Sequence, residues 1–177
     1  VYRVMNPVST HINILTWTAT LTAEFERAAS DIYYAHGGDV GLVDANEWMC
    51  IPTAATLKRS LDIPFVYTVH SLENHRSHGG DLPLNLSIKS LEWLGCYEAE
   101  RVIVKSDWMR SELQRVYKVP PGKARVVAPG SPDWLDGVLN VYREGWLERI
   151  PKVCGEDRTS EASSLPGGVE GGRPGLE

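Results

Sequence analysis

The chain has 177 residues, 42% of them hydrophobic and 23% charged, which suits one domain of ordinary size with a real core. The net charge of −5 and the pI of about 5.6 argue against a nucleic-acid partner and an anionic membrane surface, because both would favour a basic face. No apolar run reaches the roughly 18–20 residues of a transmembrane segment, so we expect none.

The first part of the chain alternates between β-type and helical patterns. Residues 1–6 can form a short strand. A helix is predicted over 12–34, where apolar residues recur at i, i+4, i+7 and i+11 from Leu21. A strand at 39–45 and a second helix at 49–61 follow.

The rest of the chain continues this alternation. The remaining elements are strand, helix, strand, helix, strand and helix, at 64–69, 83–98, 101–105, 106–118, 125–128 and 132–150. The run 64–69 is almost continuously apolar, as in a parallel strand that is covered on both faces. Strands that alternate with helices predict an α/β fold with a doubly wound parallel sheet.

The last residues have a different composition. Residues 151–177 contain six glycines, few large apolar residues and no periodicity. We predict one domain over 1–150, followed by a tail that is disordered, ordered only against a missing partner, or foreign sequence.

Polar segments follow four of the predicted strands. They are DANEW (44–48), HSLENHRSHGG (70–80), KSDW (105–108) and APGSP (128–132). Ligands of open parallel sheets bind beyond the carboxyl ends of the strands, and these ends share one edge. The sequence therefore predicts a ligand site at this edge, with His70 directly at the end of the most apolar strand.

Other interpretations of these residues stay open. His70 could be a core or capping histidine bonded to the backbone, and the later histidines could be solvated. A zinc site would need His70, His75, His78 and Glu73, but the spacing H-x4-H-x2-H matches no common zinc pattern, so we expect no metal. Three tryptophans are expected in the core more often than on a binding surface: Trp48, Trp93 and Trp108.

Several familiar signatures do not occur in the sequence. It contains no GxGxxG, GxxxxGK[ST], GxSxG, HExxH or DxD motif, so any nucleotide is not held by one of these motifs in this chain. It also has no basic, aromatic-interleaved stripe for nucleic acid.

Three distant cysteines without a CxxC motif, and a start without a visible signal peptide, predict a cytoplasmic protein. The start also lacks an initiator Met, as a fragment or processed form would.

Two stretches resemble a known family: VDANEWMCIPTAATLKRSLDIPFVYTVHSLE and YEAERVIVKSDWMRSELQRVYKVPPGKARVVAPG. They are similar to the N-terminal domain of retaining glycosyltransferases of the GT-B fold, especially the glycogen and starch synthases and glycosyltransferase group one. That family commonly reads VHAHDW, IPxVxTxH, ADxVxxVS and PxxKxxVxxNG, in this order. The match covers roughly residues 39–135 and implies a Rossmann-like half of a GT-B enzyme that lacks its first strand and glycine loop.

The resemblance assigns roles to individual residues. His70 matches the family histidine beside the donor sugar and is the expected catalytic residue. Glu47 takes the place of the aspartate of HDW, on the acceptor side. Three more residues are expected to bind substrate: Trp48 matches the tryptophan of HDW, Ser106 the serine of VS, and Gly130 the glycine of NG.

The chain departs from the family pattern at this site. Asp44 and Asn46 stand where the family has the two histidines of VHAHDW, and Pro129 replaces the asparagine of NG. Glu47 is one methylene longer than the family aspartate. Asn46 and Ser71 are still expected to contact substrate.

The resemblance implies a metal-independent, retaining transfer of glucose from ADP-glucose or UDP-glucose to a glucan or another acceptor, without a cofactor. His70 would bond a hydroxyl of the donor sugar, and Glu47 would hold an acceptor hydroxyl. The expected partner is a missing C-terminal Rossmann-like domain that neutralises the diphosphate, so the chain alone should be inactive. Two alternatives remain: a non-catalytic glycan-binding or regulatory GT-B half, and a fragment of a nucleotide-sugar epimerase.

Overall fold

A computed structural model describes residues 1–147; the predicted tail at 151–177 and the end of the last predicted helix lie outside the described residues. The strands are β1 (Val43–Asn46), β2 (Phe65–Val69), β3 (Arg101–Val104) and β4 (Ala124–Val126). The α-helices are α1 (Ile14–Ala35), α2 (Ile51–Leu61), α3 (Glu73–Arg76), α4 (Pro83–Glu98), α5 (Asp107–Tyr117) and α6 (Trp134–Leu147). A 3₁₀ turn, Trp48–Cys50, precedes α2.

The four strands form one parallel sheet in the order β1-β2-β3-β4, as the alternation of strands and helices predicts. Tyr67 in β2 is in register with Ala45 on one side and Val102 on the other. Successive β2 residues face opposite sides of the sheet, so the strand is covered on both. Phe65 packs in the main core, and Val66 packs with α6 on the opposite face.

Helix α4 approaches the sheet closely because of Gly95. A Cβ atom at this position would lie 2.7 Å from Ile51 Cδ1 and 2.9 Å from Tyr67 Cδ1, so the helix could not keep this distance with a larger residue. The close contact fixes how the inner face of α4 meets α2 and β2. Glu92, one turn before Gly95, is thereby turned into the core.

One predicted strand is absent, and one polar segment contains a helix. Residues 1–6 form no strand; instead, the Asn6 side chain donates to the carbonyl of Trp17 at 2.8 Å and accepts from Thr20 Oγ1 at 2.9 Å. The segment is therefore tied to α1 and pairs with no described strand. The polar stretch after His70 contains the short helix α3, which begins directly after the fully buried Leu72.

Candidate functional site

Four predicted site segments meet at the carboxyl edge of the sheet. Glu47 follows β1, His70 follows β2, and Ser106 and Gly130 follow the ends of β3 and β4. His70 and Glu47 are in direct contact, since the backbone N–H of His70 donates to Glu47 Oε1 at 3.0 Å. The structure thus brings together the two residues that the resemblance places on the donor and acceptor sides.

A chain of hydrogen bonds orients the imidazole of His70. Asn46 Nδ2 donates to Asp44 Oδ2 at 3.1 Å, which leaves Asn46 Oδ1 facing His70 Nε2, also at 3.1 Å. Because an amide oxygen can only accept, the neutral ring carries its proton on Nε2 and its lone pair on Nδ1. Asp44 is itself held by hydroxyl donors on Thr68, at 2.9 Å, and Tyr142, at 2.6 Å. The exposed ring therefore offers a hydrogen-bond acceptor in a fixed orientation.

Glu47 has an unusual backbone conformation. Its φ of 67° and ψ of 161° lie in a region that is essentially confined to glycine. The turn reverses the chain at the end of β1, and the Glu47 backbone N–H still bonds to the Thr68 carbonyl at 3.1 Å. This conformation directs the carboxylate back across the sheet edge to the His70 amide. Strain of this kind costs roughly 1–3 kcal/mol and is concentrated at functional sites.

The other predicted site residues differ in how far their groups are already bonded within the protein. Ser106 Oγ accepts from Met109 N at 3.2 Å, so this hydroxyl caps α5. Ser71 Oγ accepts a hydrogen bond from Arg76 Nη1. Gly130 has a φ of 78°, and a Cβ atom added at this position would meet no other atom. Glycine is therefore favoured here by the backbone conformation and not by lack of space.

The tryptophans are divided between core and surface. Trp48 has only 5% of its surface exposed, which agrees with the expected core position and leaves little of the indole for a ligand. Trp93 and Trp108 are 48% and 60% exposed, so the expectation is wrong for both. Trp108 lies at the start of α5, with its ring centroid 4.9 Å from that of His75.

The histidines after His70 are held by protein groups. His75 Nε2 lies 2.8 Å from Glu112 Oε2, and Arg115 also bonds to that carboxylate. These bonds lower the pKa of Glu112 to about 2, the Arg115 bond having the larger effect. His78 is exposed in a left-handed turn, with a φ of 50°. Within residues 1–147, no group of three His, Cys, Asp or Glu side chains could hold a metal ion.

The sequence analysis missed a buried carboxylate network formed by Glu73, Arg76, Glu92 and Tyr117. Glu92 has no exposed surface and Glu73 only 6%. Glu92 accepts hydrogen bonds from the backbone N–H of Glu73, from Arg76 Nη2 and from the Tyr117 hydroxyl. Burial raises the pKa of Glu92, although each of these donors opposes the rise.

A signal for this network is present in the sequence. Glu92 is spaced i, i+4 from Ile88 and Cys96, so it lies on the apolar face of α4. A carboxylate on such a face must find buried donors or be excluded from the core. The pattern could therefore have indicated a buried polar partner, although it does not say which one.

Comparison with known proteins identifies the family. The Glycosyltransferase Family 4 profile matches residues 7–132, which is most of the chain. The chain belongs to this family. The match includes β1 to β4 and every predicted site residue.

One curated relative agrees with this family assignment, and one solved structure shares the fold. An uncharacterized glycosyltransferase of Methanocaldococcus jannaschii is 30% identical over 151 residues; these cover 85% of this chain but only 36% of the relative. The family 4 chain thus spans about a third of the length of that curated relative. A solved sucrose-phosphate synthase structure from Thermosynechococcus elongatus superposes with a TM-score of 0.58 at 21% identity, over 80% of this chain and 71% of that one.

These findings confirm the predicted resemblance to glycosyltransferase group one and the Rossmann-like GT-B half. At 21% identity, the structural match supports the fold alone. No helix within residues 1–147 of the family 4 chain is long and apolar enough to cross a lipid bilayer.

Proposed function

We propose that this family 4 chain is the acceptor-side half of a retaining glycosyltransferase that resembles glycogen and starch synthases. It would act in transfer of glucose from ADP-glucose or UDP-glucose to a glucan or another acceptor, together with a C-terminal Rossmann-like domain. The observation that carries the proposal is the fixed imidazole of His70 at the carboxyl edge, with Nδ1 as a hydrogen-bond acceptor.

His70 is suited to hold the donor sugar. Its Nδ1 can accept a hydrogen bond from a sugar hydroxyl, while Asn46 and Asp44 prevent the ring from turning. Glycosyl transfer develops positive charge on the sugar ring, and the carboxylates of Asp44 and Glu47 lie on this edge. Their negative charge would favour that transition state, and the leaving diphosphate would be neutralised by basic groups of the partner domain.

Trp108 is suited to the acceptor. Its indole is exposed, lies against His75, and begins the helix that follows the end of β3. A sugar ring has an apolar face that can cover such an indole, while polar groups at the rim bind hydroxyls. We therefore place one ring of the acceptor glycan against Trp108, at the same edge of the sheet as His70.

The test of this proposal is His70→Ala in the longest natural protein that contains this sequence. We expect kcat/KM for glucose transfer to fall at least about tenfold, which corresponds to about 1.4 kcal/mol of lost transition-state interaction. The melting temperature should change little, because Phe65–Val69 already form the buried strand. His36→Ala is the matched control, since the His36 ring bonds the Ile32 carbonyl at the end of α1, outside the candidate site. Normal turnover with a large fall in melting temperature would make His70 structural.

One observation favours a second candidate, a non-catalytic glycan-binding half. Asp44 and Asn46 replace the two motif histidines, and both are occupied by hydrogen bonds within the protein. A screen of nucleotide-sugar turnover and of glycan binding on the same protein separates the two candidates. Binding without turnover of any nucleotide sugar would favour the second.

A further inference from the structure

Arg76 is anchored on its inner side by two carboxylates. Its Nε donates to Glu73 Oε2 at 2.9 Å and its Nη2 donates to Glu92 Oε1 at 2.8 Å. Both carboxylates are buried, so moving the guanidinium away would leave two negative charges without their cation. The inner side of Arg76 is therefore held firmly.

The anchors of Arg76 are themselves fixed by several elements. The backbone N–H of Glu73 bonds both oxygens of Glu92, at 2.8 and 3.0 Å, and joins α3 to α4. The Tyr117 hydroxyl, at the end of α5, donates to Glu92 Oε2. Asn85 Nδ2 donates to Glu73 Oε1 at 2.7 Å. Three helices thus determine where the two carboxylates lie.

The outer nitrogen of Arg76 reaches the candidate site. Nη1 donates to Ser71 Oγ and lies 3.9 Å from Glu47 Oε2. The other oxygen of Glu47 accepts the His70 amide at 3.0 Å. Because a guanidinium is planar and rigid, its anchored inner nitrogens also set the position of Nη1.

We propose that Arg76 is a positioning residue of the glycosyltransferase site. The buried carboxylate network holds Arg76 in place, and Arg76 in turn fixes the positions of Ser71 and Glu47. Ser71 follows His70 in the chain, and Glu47 accepts the hydrogen bond from the His70 amide. Arg76 also places one cation beside the Glu47 carboxylate, which supports the direction that the strained backbone of Glu47 gives to that carboxylate, toward the His70 amide. The effect of Arg76 on glycosyl transfer rests on the proposed function, whereas its effect on the placement of Glu47 and the His70 amide does not.

The experiment is Arg76→Lys, measured by hydrogen exchange at single-amide resolution on the natural-length protein. Lysine keeps a positive charge for Glu73 and Glu92, so the fold is retained, but its point charge cannot hold four partners in a fixed fork. We expect the His70 amide to exchange about tenfold faster, with the amides of Val66 to Val69 unchanged. Arg110→Lys is the matched control, because Arg110 forms a partly exposed pair with Asp107 on α5.

Two outcomes would overturn the proposal. One is a His70 amide that exchanges at the wild-type rate in Arg76→Lys. The other is equal acceleration of all β2 amides, which would mean that Arg76 only stabilises the fold. Arg76→Gln provides a second variant that lacks the charge, and its His70 amide should exchange at least as fast as in Arg76→Lys.

Turnover then tests the role at the site separately. In Arg76→Lys, kcat/KM for the acceptor should fall about tenfold, with Arg110→Lys unchanged. A faster His70 amide with unchanged transfer would overturn the role at the site and leave the proposed transferase function intact. Absence of transfer in the wild-type protein would instead contradict the proposed function, and the exchange result would still decide the positioning.

Discussion

The two ends of the sheet use charged residues in different ways. At the amino edge, cations bond carboxylates or the backbone: Lys58 lies 3.0 Å from Glu100, Arg59 pairs with Glu98, and Lys123 donates to the Tyr97 carbonyl at 2.6 Å. At the carboxyl edge, Arg76 is within 4 Å of three carboxylates. The amino edge fastens α2 and α4 to the sheet, whereas at the carboxyl edge one guanidinium is shared by three carboxylates.

The amino edge has a cleft, but the groups that line it are already bonded within the protein. A cleft of about 420 Å³ lies at the amino edge, lined in part by Lys58, Glu100 and Lys123. Its charged groups are already paired with one another or with the backbone. The carboxyl edge instead has a strained Glu47 and an oriented His70. Strain and open hydrogen-bonding capacity therefore favour the carboxyl edge over this cleft as the proposed site.

The largest expected effect comes from breaking the buried carboxylate network. Glu92→Ala should lower the free energy of unfolding by about 3–5 kcal/mol, because Arg76 and the Tyr117 hydroxyl lose their buried partner. Glu98→Ala at the amino edge should cost less than about 1 kcal/mol, because its partner Arg59 is exposed. Urea unfolding measures both. Equal losses would mean that the two edges do not differ in this way.

The next effect concerns backbone strain at Glu47. Both Glu47→Ala and Glu47→Gly remove the carboxylate, but only glycine tolerates a φ of 67° with a ψ of 161°. The glycine variant should therefore be more stable than the alanine variant by about 1–3 kcal/mol. The same pair at Lys58, inside α2, should show the reverse order by about 1 kcal/mol. Alanine as the more stable residue at both positions would exclude strain at the site.

A smaller effect is expected for glycan binding. Trp108→Ala should weaken binding of a malto-oligosaccharide by about two- to tenfold, since an aromatic contact contributes roughly 0.5–1.5 kcal/mol. Trp93→Ala is the control: Trp93 is also exposed, but it stacks on Tyr97 in the half of α4 that leads to the amino edge. Isothermal titration of both variants decides the matter. A matching loss for Trp93→Ala would indicate nonspecific contact with the sugar.

The smallest expected effect is a pH dependence from Glu112. Its carboxyl has a folded-state pKa of about 2, because of the bonds from Arg115 and His75, against an ordinary value of about 4.3 in the unfolded chain. The stabilising contribution is therefore present above about pH 4.3 and is lost as the pH falls toward 2. Glu112→Gln should lower the melting temperature slightly at pH 6 and not at pH 2. A difference that stayed constant with pH would contradict this.

The sequence was sufficient to predict the elements that depend on local pattern. The apolar run of β2, the helix beginning at Pro83 and the shared carboxyl edge of the strands follow from periodicity and from the geometry of parallel sheets. The strand expected at 1–6 failed because β-type residues need a neighbouring strand, which the local sequence cannot supply.

The interactions within the site could not be predicted in the same way. Whether Glu92 is exposed or buried depends on the partners that α3 and α5 bring to it. The positive φ of Glu47 has no signal in a residue type that normally avoids it. The sequence placed His70 and Glu47 on one edge, but only the structure gives the hydrogen bond between them.

The hydrogen bond from Tyr142 to Asp44 has a consequence for the order in which the site forms. The two residues are 98 positions apart, and the bond joins α6 to β1 across the sheet. During synthesis, the whole sheet emerges before Tyr142 does, and such distant contacts are slow to form. The support that Tyr142 gives to Asp44 is therefore added only after α6 has docked, so a nascent protein forms its sheet before the Asp44–Asn46–His70 chain gains its last hydrogen bond.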